Sequence, residues 1–314
     1  MEPDLTLGVV AHHGGLLVRR PELSVGVVQA MSRPSGLTLD VIARRPLDRR
    51  DAKQRQRDIR SVRDEPVRVA PRLLLPDFDE GRELRLGWIE AGHAHWAYGD
   101  TASWSGDDHT GSDGPGWRHT CLLPPMFEQL SLVLAWPEIG FDETVVTVEL
   151  PDRDTVERAA TSIWQAPVDA LPVTEPLTDR HATHLDPVPI EAGTVVAAPR
   201  VLHRSDHAAI VLSRVTAVGP ALSLELTGVV TGPLADTLAR RAPRGGPSMA
   251  VAEENDAFWL RSAGGSHLGG KQHFVTVDEF TAHRPDGDVL DLVVAWSAAG
   301  LSAARARVSC GRSR

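Results

Sequence analysis

Leu37-Thr38-Leu39-Asp40-Val41 and Leu222-Ser223-Leu224-Glu225-Leu226 are the two stretches whose reading decides the fold. In each, an apolar residue alternates with a polar or acidic one. Successive side chains of a strand point to opposite faces, so this period of two buries one face and leaves the other to water. The stretches stand at an offset of 185 residues, and the same blocks surround both in the same order. Upstream, Val25-Gly26-Val27-Val28 corresponds to Ile210-Val211-Leu212-Ser213. Downstream, Leu132-Val133-Leu134-Ala135-Trp136 corresponds to Leu292-Val293-Val294-Ala295-Trp296 at an offset of 160, and Gly140 and Gly300 follow at equal distances. An ordered recurrence of blocks is the mark of a repeat. The smaller second offset makes the first half the longer one between those blocks.

Further strands are expected at Glu22–Met31, Glu83–Ile89, Trp117–Leu122 and Glu143–Leu150, with partners at 208–217, 249–254, 272–277 and 303–309. Short strands between Gly, Pro and Asp turns predict an all-β chain. Clean alternation points to antiparallel sheets, since buried parallel strands read as continuous apolar runs. The expected architecture is two tandem homologous antiparallel β-sandwich domains, produced by internal duplication, with one short linker helix. The first sandwich is expected at 1–150 with a basic insertion at 44–66, the helix and a Pro-rich linker at 151–190, and the second sandwich at 191–314. The helix is read from Asp154-Thr155-Val156-Glu157, which resembles a capping box. Val156, Ala159, Ala160, Ile163 and Trp164 then form one apolar stripe at helical spacing.

Composition narrows the classes. The chain has 314 residues, 42% hydrophobic and 24% charged, which suits a globular protein of about two domains. The net charge of −9 argues against general nucleic-acid affinity, because phosphate binding needs a basic surface. No apolar run approaches the ~18 residues of a membrane span. The acidic start Met1-Glu2-Pro3-Asp4 lacks the features of a signal peptide. Two cysteines, Cys121 and Cys310, make no disulfide framework. A soluble, cytoplasmic protein is expected.

Leu122-Leu123-Pro124-Pro125, then Leu132-Val133-Leu134-Ala135-Trp136-Pro137, Gly140, Ala159-Ala160 and Trp164 resemble a family of uncharacterised actinobacterial proteins. Its members carry a PLPP block, a Glu-Trp-Pro-Ala block with a following glycine, and an Ala-rich helix ending in Leu-Trp. The likeness covers about residues 84–165. Ala135 stands where the family pattern has an acid. The resemblance implies no catalytic residues, because the family has no known function.

No G-x-S-x-G, Walker loop or H-E-x-x-H motif is present. His93-Ala94-His95 and His119-Thr120-Cys121 each put two potential ligands on one face of a strand. On two adjacent strands, His93, His95, His119 and Cys121 would suit tetrahedral Zn²⁺. With 13 histidines in the chain such pairs arise readily, so ordinary histidines and no cofactor are expected. The loop 98–116 carries Trp104, Asp107 and Asp108, and its counterpart 263–270 carries His267 and is followed by Lys271. Loops on a rigid scaffold commonly carry binding, so these are the candidate contact residues. Arg44–Arg63 holds nine basic residues against three acids, among them Arg49, Arg50, Arg55, Arg57 and Arg60. A solvated insertion is the expected reading. Trp136 and Trp296, repeated at matching strand ends, are expected in the core.

The functional expectation is a non-enzymatic binding or scaffold protein with a protein partner. The alternatives are a zinc-dependent enzyme using the His/Cys cluster, or nucleic-acid association through the Arg-rich insertion.

Overall fold

The computed structural model describes residues 5–45, 73–97, 104–106, 116–183, 185, 188–240, 246–269 and 272–311. In the first half the strands are β1 (Thr6–Leu7), β2 (Val9–His12), β3 (Gly15–Arg19), β4 (Ser24–Arg33), β5 (Gly36–Arg44), β6 (Arg85–Glu90), β7 (His93–Trp96), β8 (Trp104–Gly106), β9 (Gly116–Leu123), β10 (Gln129–Trp136) and β11 (Phe141–Glu149). Three short strands follow: β12 (Thr161–Ser162), β13 (Leu171–Pro172) and β14 (Thr178–His181). The second half holds β15 (Thr194–Ala197), β16 (Arg200–Arg204), β17 (Ala208–Val218), β18 (Ala221–Thr231), β19 (Ser248–Glu253), β20 (Asp256–Trp259), β21 (Ser262–Gly269), β22 (His273–His283), β23 (Val289–Trp296) and β24 (Leu301–Ser309).

These strands form an all-β sandwich fold. One sheet of the first half runs β2-β4-β5-β9-β8 with β3 also on β4, and the other runs β11-β10-β6-β7. The second half repeats both orders, as β15-β17-β18-β22-β21 with β16 on β17, and as β24-β23-β19-β20. The irregularities recur too. The β4–β5 ladder slips around Val28 and the β17–β18 ladder around Ser213. Both β10 and β23 end in a bulge before Trp136 and Trp296, followed by a 3-10 turn closed by a left-handed glycine, Gly140 at φ 78° and Gly300 at φ 76°.

Alternation explains the cores. Leu37, Leu39, Val41 and Ala43 of β5 point inward, meeting Leu130, Leu132, Leu134 and Trp136 of the opposite sheet. Leu222, Leu224 and Leu226 do the same against Leu290, Leu292, Val294 and Trp296. Each half therefore buries its own apolar layer.

Two expectations about helices are corrected. The linker helix is Arg153–Ala159, capped by Asp152, whose carboxylate accepts from the Thr155 N–H, and not by Asp154. Ala160 is already extended, and Thr161–Ser162 pairs with β1. The apolar stripe is split because Ile163 and Ala166 pack on Val201, Ala209, Val211 and Val229 of the second half. Packing there outweighs another helical turn. A second helix, Pro233–Arg240, follows Gly232; its proline sits in the first turn, where a missing N–H costs nothing. The segment expected to be plain linker supplies strands: β13 pairs with β24, and β14 pairs in parallel with β20.

Each outer sheet is crossed by a strap. In the first half Glu143 accepts from the backbone N–H groups of Leu73, Leu74 and Leu75, at 2.8, 2.8 and 2.6 Å. Trp96 Nε1 donates to Leu74 O at 3.2 Å. In the second half Val173 and Leu177 pack on Ala250, Ala252, Ala257 and Val293. There Trp259 Nε1 donates to Asp179 at 2.8 Å. No helix among the described residues is long and apolar enough to cross a membrane.

Candidate functional site

The outward faces of the two large sheets meet each other. On β5 the outward set includes Asp40 and Ile42, and on β18 it includes Glu225, both set by the same alternation that puts their neighbours in the cores. Asp40 and Arg118 from the first half meet Arg214, Glu225 and Glu279 from the second. Arg214 Nη1 donates to Asp40 at 3.2 Å and lies 3.1 Å from Glu225, while Nη2 donates to Glu279 at 2.6 Å. Arg118 Nη2 reaches Asp40 at 2.5 Å and Glu225 at 3.3 Å, and its Nη1 reaches Glu279 at 2.5 Å. Two guanidiniums thus share three carboxylates. The Arg214 side chain is 1% exposed.

Burial works against charge on both arginines, yet the surrounding carboxylates outweigh it and hold both guanidiniums more firmly protonated than usual. Burial also opposes ionisation of Glu279, but Arg118 and Arg214 prevail and hold its carboxyl below the usual glutamate range. Such a cluster offers neither a free base nor an unpaired nucleophile.

Around it the halves interlock. Gln29 donates to Ser213 O at 3.3 Å, Val195 N donates to His13 O at 2.7 Å, and His13 Nδ1 lies 3.0 Å from Val195 O. Arg44 pairs with the buried Glu191. Val28 and Ile42 pack with Ile190 and Val218. Gly26 is required here: a Cβ would stand 2.6 Å from Glu191 O. His12 is held below the usual histidine range by burial and by His13.

The sequence-derived candidates are scattered. His93 and His95 lie exposed on β7 in one sheet, with His95 stacked on Trp88 at 5.3 Å. His119 and Cys121 lie buried on β9 in the other sheet, so the two pairs do not share adjacent strands. Burial lowers His119 below its usual range and pushes the Cys121 thiol up to about 11, with Asp40 adding to the latter. Among the described residues no group of three or more His, Cys, Asp or Glu is placed to hold a metal ion. Trp104 falls on β8 rather than in a loop, and its strand pairs with β9. His267 likewise falls on a strand, because Ser262–Gly269 pairs along β22 with a bulge at Ala263. Its exposed ring lies 6.4 Å from Phe274. Asp107, Asp108, Lys271, Arg49, Arg50, Arg55, Arg57 and Arg60 lie outside the described residues.

Sequence reasoning missed the ion cluster. One signal was present: Asp40 and Glu225 recur at equivalent positions, and Arg214 is a lone charge inside the apolar run Ala208–Val218. Alternation assigns them outward without saying what faces them. The surface depression bordered by Phe78, Glu80, Arg82 and Glu83 is open and lined by its own ion pairs, Arg82–Glu80 and Arg85–Asp79, both at 2.7 Å.

No protein-family model matches the chain, and no curated protein matches it. Among solved structures, a conserved domain protein from Bacillus anthracis is similar at 8% identity, over 91% of this chain and 77% of that one, with a TM-score of 0.23. Bovine butyrophilin is similar at 10% identity, over 97% and 98% of the two chains, with a TM-score of 0.22. Likenesses this distant carry no functional argument.

Proposed function

We propose that this is a non-enzymatic binding or scaffold protein whose two β-sandwiches act as one unit. The observation that carries the reading is the fate of the assembled polar cluster. Asp40, Arg118, Arg214, Glu225 and Glu279 are consumed by pairing with one another between the halves. Charged groups arranged for catalysis stand in a cleft where a substrate reaches them; these stand between two sheets. Among the described residues, sheet edges and loops remain exposed, which suits a protein partner. The matched strand orders and matched bulges support an origin by internal duplication. Both cysteines are buried and free, which suits a reducing compartment such as the cytoplasm.

The test is co-purification of the tagged chain from its own cells, followed by titration of the recovered protein, purified, against the chain. Saturable binding without chemical change in either partner is expected. Turnover of a small molecule, or near-stoichiometric zinc lost in a His95→Ala/Cys121→Ala double variant, would overturn the reading.

A further inference from the structure

The turn His12–Gly15 joins β2 to β3 and fastens the first half to the second. His13 bridges to β15 twice: Val195 N donates to His13 O at 2.7 Å, and His13 Nδ1 lies 3.0 Å from Val195 O. Gly14, left-handed at φ 82°, sits between Val28 O and Gly193 O, each 3.1 Å from where a Cβ would stand. Its N–H donates to His12 Nδ1 at 3.1 Å. These partners fix both tautomers. A carbonyl only accepts, so His13 carries its proton on Nδ1. A backbone N–H only donates, so neutral His12 carries its proton on Nε2 and offers Nδ1 as the acceptor. Adjacent imidazoles are thus held in opposite forms, and they answer a second proton differently. His13 takes it on Nε2 and keeps its bond. His12 can take it only on Nδ1, where it meets the Gly14 N–H.

We propose that this turn is a proton-operated clasp: protonation of His12 expels the Gly14 N–H and frees the turn from β15, while the halves stay joined at the ion cluster. The inference stands apart from the binding reading. The elements packed against β2, β3 and the turn are β4, β11, the 3-10 turn Ile190–Ala192 and β15. Their charged groups are engaged elsewhere or exposed. Arg33 of β4 donates to Thr6 O at 2.9 Å and to Thr38 Oγ1 at 3.0 Å. On β11, Asp142 lies 3.8 Å from Arg20, Glu143 holds the strap, and Glu149 is exposed, as is Arg19 on β3. Glu191 pairs with Arg44, and β15 carries no charged residue. Among the described residues no acid acts on His12. Burial, and then the like charge of His13, hold it below the usual histidine value of about 6.5. The neutral form is the folded one, so the clasp is closed at neutral pH and released as pH falls through the lowered value. Glu279 keeps its charge to below the usual glutamate range, so the cluster is intact in the window where His12 titrates.

Hydrogen exchange of the full chain, read by mass spectrometry between about pH 7.5 and about pH 5, spans that window, with each rate divided by that of an unstructured peptide at the same pH. Protection in the peptides covering Gly14 and Val195 should fall together, by about fivefold or more, the scale of one lost hydrogen bond. Protection in the β17–β18 ladder should stay unchanged. His12→Asn should hold the clasp shut across the range, because an asparagine oxygen accepts the N–H two residues on and takes no proton. The ring nitrogens of the unsubstituted protein decide the matter if that variant fails to fold. Their NMR shifts at neutral pH should show His12 protonated on Nε2 and His13 on Nδ1. Constant protection throughout the range, a fall that His12→Asn retains, a fall shared by β17–β18, or His12 protonated on Nδ1 at neutral pH would overturn the proposal.

Discussion

Trp296 packs against Gly228, where a Cβ would stand 2.6 Å from the indole and 2.8 Å from Thr276 Oγ1. Trp136, in the matching place, meets Trp117 edge-on at 5.0 Å and donates to Arg82 O at 3.1 Å. Both indoles are buried. Trp136→Ala and Trp296→Ala should each cost about 3–5 kcal/mol of stability, the range for deleting a large buried aromatic. Gly228→Ala should cost about 1–3 kcal/mol by overpacking. Thermal denaturation measures all three. The thiols of Cys121 and Cys310 are both shielded, and burial raises both pKa values. In the folded protein neither should react with a thiol reagent at neutral pH; in denaturant both should, as mass spectrometry would count. At this scale the core tryptophans were legible, since a large aromatic repeated on an apolar face has one economical place to go. Their partners differ between the halves, glycine in one and Trp117 in the other, and alternation does not reveal that.

At the scale of elements, β4, β5, β10 and their counterparts appear in the sequence because each alternates over eight residues or more. Two of the pieces that escaped are short. β13 and β14 have two and four residues, too few for a period to show. β21 hid in a glycine-rich run that reads as a loop, and is strand because β22 offers a full ladder. The strap at Leu73–Leu75 has no local pattern; a carboxylate from β11 holds it. Glu143→Ala leaves three N–H groups without that acceptor. Hydrogen exchange at Leu73–Leu75 should accelerate in this variant while exchange in β10 stays slow. Equal protection in both proteins would show that Trp96 and local packing suffice.

At the scale of the molecule, the halves are joined through charge. Removing one member of a buried ion cluster leaves its partners uncompensated, typically at about 3–5 kcal/mol. Arg214→Met should fall in that range, read by urea denaturation, because three carboxylates would remain with Arg118 alone. Acid acts on the same cluster. Unfolded, Glu279 titrates near about 4.3; folded, its pKa is lower. Its stabilisation is complete above that unfolded value and is lost as pH falls through the folded one. His12, His119 and His203 are lowered chiefly by burial, so their contribution declines earlier, as pH drops below about 6.5. Denaturation midpoints across pH should show both declines, and Glu279→Gln should remove part of the lower one only.

The sequence by itself determined the local halves of this structure: that the clearly alternating stretches are strands, which face of each is apolar, and that two sets of blocks share one order. Those properties are written in a period of two residues and need no partner. Only the tertiary structure decided what the polar faces meet. Arg118 and Glu279 are separated by 161 residues, and their contact depends on two sheets, each already complete, packing face to face. The same outward residue on an isolated sandwich would be solvated, and its spacing would look no different. Alternation assigns a side chain to a face, whereas the partner on that face is set by the packing of distant elements. The cluster and the straps are both of the second kind.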